Sequence, residues 1–248
     1  MRSTQRLDKL LAHAGWGTRS EIKKLVKRGA VTVNGRKVKD SGLQVDPYED
    51  HIQVGSEPVD YKEFIYIMMN KPPGVISATE DVREKTVLDL LGPEASHFRV
   101  FPVGRLDKDT EGLLLLTNDG KLAHNLLSPK KEVPKTYFAE VEGIVTDEDR
   151  FAFSKGVSLD DGYVTLPAEL VILNVDAAAD KPLSKIELTI REGKFHQVKR
   201  MFQAVGKRVV YLQRISMGSL QLDSHLSPGG YRELTEKELD NLKHSSTE

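Results

Sequence analysis

The sequence contains no cysteine among its 248 residues. Disulfides, thiolate nucleophiles and zinc–cysteine sites are therefore excluded. No apolar run approaches the roughly 18 residues needed to cross a bilayer. Met1 to Leu10 has no apolar signal core, so a cytoplasmic protein is expected. Aromatic residues make up only 6%, with a single Trp. That gives little support to a carboxylate glycosidase, which wants aromatic sugar-binding surfaces beside its paired acids. The 7 histidines are scattered, without a His-x-x-x-His pair. There is neither a Walker loop nor a dinucleotide fingerprint. An enzyme with this sequence is expected to use side chains alone, without metal or cofactor.

The formal net charge is only -1, but it is unevenly spread. Residues 1–40 carry 11 Lys or Arg against 3 acids, a balance of +8, and the remainder carries 25 basic against 34 acidic groups, a balance of -9. A basic N-terminal module that meets a polyanion accounts for this asymmetry. A solvated charged helix face accounts for it equally well.

Leu7, Leu10, Leu11 and Ala14 recur at helical spacing. Gly15 and Gly17 break that helix, and Thr18 with Glu21 forms a capping box for the next. Ile22, Leu25 and Val26 give the second helix an apolar stripe. Lys23, Lys24, Lys27 and Arg28 cover the rest of it before Gly29 ends it. Val31–Val33 is a short strand, Asn34-Gly35 a hairpin turn, and Val38 is expected to begin the return strand. The run from Arg6 to Gly35 resembles the RNA-binding module named after the fourth protein of the small ribosomal subunit, over roughly residues 4–57. The resemblance implies that the basic helix and the hairpin grip RNA. Arg19, Lys23, Lys24, Lys27 and Arg28 are the expected phosphate contacts.

The domain expected for that module is 1–58, followed by a linker at 59–63, a second domain at 64–243 and a disordered tail at 244–248. In the second domain, strands are expected at Phe64–Met69, Leu113–Thr117, Thr136–Glu142, Ile186–Ile190 and Val209–Leu212. Helices are expected at Lys121–Leu127 and from His196 to Val205, with a last one capped by Thr235 and Glu238. Helices interrupt the strands irregularly, so the fold class is α+β with a mixed or antiparallel central sheet flanked by helices.

Gly104-Arg105-Leu106-Asp107-Lys108-Asp109-Thr110-Glu111-Gly112 is dense in carboxylates and precedes a buried strand. In an extended chain Arg105 and Asp107 point to the same side, and a nearby cation keeps an acid ionised. From physics alone a surface ion pair is the plainer reading, and Asp109 or Glu111 serves as well as Asp107. The segment resembles the signature of the RsuA-type pseudouridine synthases, whose Gly-Arg-Leu-Asp aspartate is catalytic. Asn70-Lys71-Pro72 with Gly74, Lys135-Thr136-Tyr137, Glu192 to Met201, and Pro228 to Arg232 with Leu234-Thr235 recur in the family's order. The match spans essentially the whole chain.

The resemblance implies an RNA pseudouridine synthase in which Asp107 is the catalytic carboxylate and Tyr137 lies against the target uracil. Lys194 is the expected cation near Asp107, with Arg105 beside it. Lys194 stands where the family often has arginine, and a lysine cannot make arginine's forked contact with a carboxylate. Without the resemblance, Tyr137 reads as a core residue, Lys194 as a solvated turn lysine and Leu212 as core. Lys199 and Arg200, with Lys207 and Arg208, are expected to extend the RNA surface around the pocket. His196 before Gln197 resembles the small-subunit branch, and the chain ends soon after Leu242 without the long basic tail of some large-subunit relatives. The expected substrate is a uridine of small-subunit ribosomal RNA, met by a monomer on a partly assembled subunit. A large-subunit synthase and a non-catalytic ribosome-assembly factor are the alternatives.

Overall fold

The computed structural model describes residues 4–178 and 181–245. They form two compact units. One runs to Ile65 and takes in Leu91–Val100. The other holds Tyr66–Leu90 and everything from Phe101 onward. Ten residues of the expected span of 64–243, Leu91–Val100, group with the N-terminal unit. A sequence window cannot show this: Ala95, Phe98 and Val100 are buried, and burial does not say which core receives them.

In the first unit, α1 (Leu7–His13) and α2 (Arg19–Lys27) precede β1 (Val31–Val33), β2 (Arg36–Lys37), β3 (Ile52–Val54) and β4 (Glu57–Pro58). Both halves of the capping box form on α2: Glu21 N–H donates to Thr18 Oγ1, and Thr18 N–H donates to Glu21 Oε2 at 2.7 Å. Leu7, Leu10, Leu11, Ile22 and Val26 meet Val31, Val33, Ile52 and Val54 in one core. Asn34 (φ 52°) and Gly35 (φ 75°) make the left-handed turn that a two-residue hairpin requires. The return strand starts at Arg36 rather than Val38, since so tight a turn pairs the next residue at once.

In the second unit the main strands are β5 (Tyr66–Lys71), β6 (Glu111–Thr117), β7 (Lys135–Glu142), β8 (Glu169–Asp176), β9 (Leu183–Ile190), β10 (Arg208–Met217) and β11 (Tyr231–Glu233), with two-residue strands at Phe101–Pro102 and Leu220–Gln221 beside them. The helices are α3 (Gly120–Leu127), α4 (Asp147–Lys155), α5 (Gln197–Ala204) and α6 (Glu236–Ser245). The strand order is β8-β9-β7-β10-β6-β5-β11. Neighbours are antiparallel except β10 and β6, which are parallel. The sheet is mixed, as the sequence led one to expect.

Leu113 to Leu116 are buried on both faces of the central strand β6. Along β7, Lys135, Tyr137, Ala139 and Val141 alternate inward, the period of a strand with one covered face. Where β10 and β6 run parallel, Gly112 (φ 99°) lies opposite Arg214, whose carbonyl a Cβ would strike. The strands approach that closely only because glycine stands there. α6 continues through His244 to Ser245, so the expected tail at 244–248 is helical in its first two residues; 246–248 lie outside the described residues. No described helix is long and apolar enough to cross a membrane.

Candidate active site

Asp107 sits between β5 and β6 in a loop held from beneath. The loop begins at Gly104, whose φ of 77° turns the chain. Ser77 Oγ donates to the Leu106 carbonyl at 3.1 Å and accepts from Leu106 N–H at 3.0 Å. Gly74 N–H donates to Lys108 O at 2.7 Å. Below it lies Lys71, completely buried, whose Nζ donates to the carbonyls of Pro72 at 3.0 Å, Lys108 at 3.4 Å and Thr110 at 2.8 Å. These bonds satisfy the ammonium and, together with the Ser77–Leu106 pair, pin both sides of Asp107. Asn70-Lys71-Pro72 stood in the sequence as one of the family's motifs, but nothing local to it reveals that its lysine reaches across to another loop.

Burial pushes the Lys71 ammonium down to about 8, against the pull of Asp109, Asp107 and Glu111. Lys135 is pushed to about 8 as well, by burial and then by Arg214. Its Nζ donates to Val133 O at 2.7 Å. Because the folded pKa lies below the unfolded value, the unfolded chain holds the extra proton between about pH 8 and 10.4. Stability from this group therefore rises with pH across that window. Wild type is expected to gain on Lys135→Met by about 1 kcal/mol per pH unit there, read from urea unfolding at pH 7 to 10. A pH-independent difference would show that Lys135 is not held as a depressed ammonium.

The carboxylate of Asp107 meets Lys199 Nζ at 3.0 Å and His196 Nε2 at 3.5 Å. Lys199 also holds Asp109 at 2.7 Å. The cation on Asp107 is therefore Lys199, placed by the sequence on an outer RNA surface, and not Lys194. Lys199 lies on α5, and only the packing of that helix brings it against Asp107. Lys194 Nζ lies over the Tyr163 ring at 4.3 Å, a cation–π contact. Its backbone N–H donates to Gln197 Oε1 at 2.8 Å. Arg105 is exposed on the cleft rim, without a hydrogen bond or ion pair to other described residues.

Although burial disfavours its charge, the hydrogen bonds it donates to Asp109 and Asp107 hold the Lys199 ammonium above its ordinary range. The mostly buried side chain of Arg200 pairs with Asp160 and, at 2.7 Å, with Asp161. Lys207 pairs with Asp149 at 2.8 Å and Arg208 with Glu142 at 2.6 Å, so these two are also committed to the protein.

A cleft opens above Asp107, lined by Arg105, Thr110, Tyr137, Lys194, His196 and Leu212 among others. Tyr137 from β7 and Leu212 from β10 form its apolar wall, and both are buried. Leu212 was set aside as core, because a strand leucine carries no mark of which cavity it lines. The Thr110 hydroxyl is buried without a partner among the described residues. One carboxylate balanced by one ammonium, beside an aromatic–aliphatic wall, suits covalent or proton-transfer work on a flat, neutral ring. Among the described residues no group of three or more His, Cys, Asp and Glu is arranged to hold a metal ion.

In the other unit, Arg19, Lys23, Lys24, Lys27 and Arg28 are all exposed on α2. Replacing Lys23, Lys24 and Lys27 by Gln is expected to lower the slope of log affinity for RNA against log salt by about 2, at roughly 0.7–0.9 per phosphate contact. Salt titrations of both proteins check this, and equal slopes would remove α2 from the RNA contact.

Residues 65–204 match the model of the RNA pseudouridylate synthases, and residues 5–60 that of the S4 domain. The chain is 57% identical to the uncharacterized RNA pseudouridine synthase YtzG of Bacillus subtilis, over 94% of this chain and 96% of that protein. It is 41% identical to ribosomal large subunit pseudouridine synthase B of Bacillus subtilis, over 96% of both. It is 38% identical to ribosomal small subunit pseudouridine synthase A of Salmonella typhimurium, over 94% of this chain and 98% of that protein. A crystal structure of a pseudouridylate synthase superposes with a TM-score of 0.64 at 36% identity, covering 96% of this chain and 99% of the other. A match of this length, in sequence and in strand arrangement alike, places the chain in the RNA pseudouridylate synthase family.

Proposed function

We propose that the protein isomerises a uridine of small-subunit ribosomal RNA to pseudouridine, with Asp107 as the catalytic carboxylate. The observation that carries this is the Asp107–Lys199 pair at 3.0 Å in a cleft walled by Tyr137 and Leu212. Uridine is joined to ribose through nitrogen, and pseudouridine through carbon. The enzyme must break one glycosidic bond, turn the base and form the other, with no net redox change and no group donor. The Asp107 carboxylate serves by adding to the sugar or by taking a proton from it. Either route needs the detached uracil kept from water, which is the task of the Tyr137–Leu212 wall. Lys199 balances the carboxylate between steps. Tyr137 lies against the uracil ring, and its hydroxyl is placed to move a proton late in the reaction. Lys194 and Arg105, at the cleft rim, serve the phosphates of the incoming strand.

The target base reaches Asp107 only by leaving its stack, and the basic face of α2 supplies sequence-independent grip while it does. A single site in a long RNA calls for more shape than one loop offers. We therefore place the reaction in the cytoplasm, on a partly assembled small subunit, with the enzyme acting as a monomer. His196 ahead of Gln197 favours the small subunit. One finding favours the other reading: the Bacillus relative that acts on the large subunit is the more similar of the two assigned ones, at 41% against 38%. Nucleotide-resolution mapping of pseudouridine in both ribosomal RNAs, with and without the gene, separates them. Loss of one small-subunit site is the expected result. Loss of a large-subunit site alone would move the substrate and leave the chemistry standing. No change in either RNA would overturn the proposal.

A further inference from the structure

Phe195 is 72% exposed and lies in the chain between Lys194 and His196, which both line the Asp107 cleft. Its ring stacks on His196, with centroids 3.8 Å apart and planes 18° from parallel. His196 lines the cleft and carries the stack to within 3.5 Å of the Asp107 carboxylate. One face of Phe195 is thus covered, and the opposite face is open. A phenylalanine left this exposed gives up burial that a small side chain would not forgo.

The stack is not loose decoration. His196 is held at φ 48°, ψ 33°, a conformation that costs an L residue energy. The turn beneath it is tied down by buried groups. Gln197 Oε1 accepts from Lys194 N–H at 2.8 Å, and Gln197 Nε2 donates to Glu192 Oε1 at 2.8 Å. Glu192 also accepts from Tyr163 Oη at 2.6 Å and from Leu166 N–H at 2.9 Å. The fold therefore fixes an open aromatic face beside the site where the base is to be turned. Exposed Arg105 stands on the rim of that cleft, suited to a phosphate.

We propose that the Phe195–His196 stack is a platform for the nucleobase next to the target uridine in the RNA. The inference rests on the pseudouridine synthase reading above. Extruding the target base strips its neighbour of one stacking partner. The open face of Phe195 supplies a replacement, about two ring spacings from His196. An aromatic face accepts any base, so the platform contributes to binding and to holding the opened strand rather than to sequence readout.

The test compares wild type with Phe195→Leu and Phe195→Tyr on a partly assembled subunit, reconstituted around the in-vitro-transcribed ribosomal RNA that pseudouridine mapping identifies. Leucine keeps apolar bulk and loses the stacking face; tyrosine keeps the face. Phe195→Leu is expected to raise KM about ten-fold, with kcat within about two-fold of wild type, and Phe195→Tyr to restore KM. A 2-aminopurine placed next to the target uridine should be quenched on binding wild type and not on binding Phe195→Leu. An unchanged KM in Phe195→Leu, or a loss confined to kcat, would overturn the platform while wild-type turnover still supports the enzyme. If wild type makes no pseudouridine in either ribosomal RNA, the proposed function fails first and the platform falls with it.

Discussion

Asp107→Asn is expected to lower pseudouridine formation by at least about a thousand-fold, in line with the loss of a unique reacting group in other enzymes. Asparagine preserves the shape and removes the charge. Its amide is also a poor partner for Lys199, so the ammonium stays with Asp109, which it already holds at 2.7 Å. The loop itself should be little changed, because Ser77, Gly74 and Lys71 hold its backbone and not the Asp107 side chain. RNA affinity and thermal midpoint should therefore stay near those of wild type. Single-turnover product formation, measured by tritium release from carbon 5 of uridine, checks the prediction. Measurable multiple turnover by the variant would dismiss Asp107 as the catalytic carboxylate. Asp109→Asn is the internal control. Asp109 is exposed and shares only the Lys199 contact, so that variant should keep activity within about ten-fold of wild type.

Lys199→Met should have the next largest effect, a fall in kcat of about a hundred-fold or more, the usual cost of removing one charge aimed at a reacting group. Methionine fills the same volume along α5 but leaves Asp107 facing Asp109 with no cation between them. Lys199→Arg should recover part of the loss, since its charge is retained while its planar head fits the two-carboxylate site differently. The ammonium of Lys199 is raised above its ordinary range, so its charge is complete at and below neutral pH and is lost only above the usual lysine range. An activity profile between pH 6 and 9 should therefore show no step that disappears in Lys199→Met. Substitution, and not pH, is the informative experiment. Full activity in Lys199→Met, with Lys194→Met inactive, would return the role to the residue the sequence suggested.

What made the first unit readable is that its signals are local. Thr18 and Glu21 lie one turn apart, so a capping box is written in four consecutive residues. Asn34-Gly35 carries its own backbone geometry. The apolar stripe of α2 leaves its lysines outside by simple periodicity. The same holds for β7 and β9, whose alternation shows through the sequence. α4 was harder to see. Its single fully buried anchor is Phe153, while Phe151 points to solvent, so the helical stripe is too thin to register. β8 lies at the sheet edge, paired only with β9, and has no strong alternation to betray it.

By itself, the sequence determined the α+β class, a basic exposed helix, most of the central strands and the loop that carries Asp107. Each of these depends on neighbours within a turn, a strand or a short motif. Only the tertiary structure decided which cation faces that carboxylate, because Lys199 lies 92 residues from Asp107 along the chain. The register of β7 against β10, with its irregularities at Thr136/Tyr137 and Glu140/Val141, fixes which side chains form the cleft wall. The same packing withdrew Arg200 into an ion-pair cluster and brought Lys71 under the loop that carries Asp107. Charge and hydropathy state what a side chain can do. Its partner is set by where separate segments come to rest, since burial and Coulomb attraction act on distance in space and not on separation in sequence.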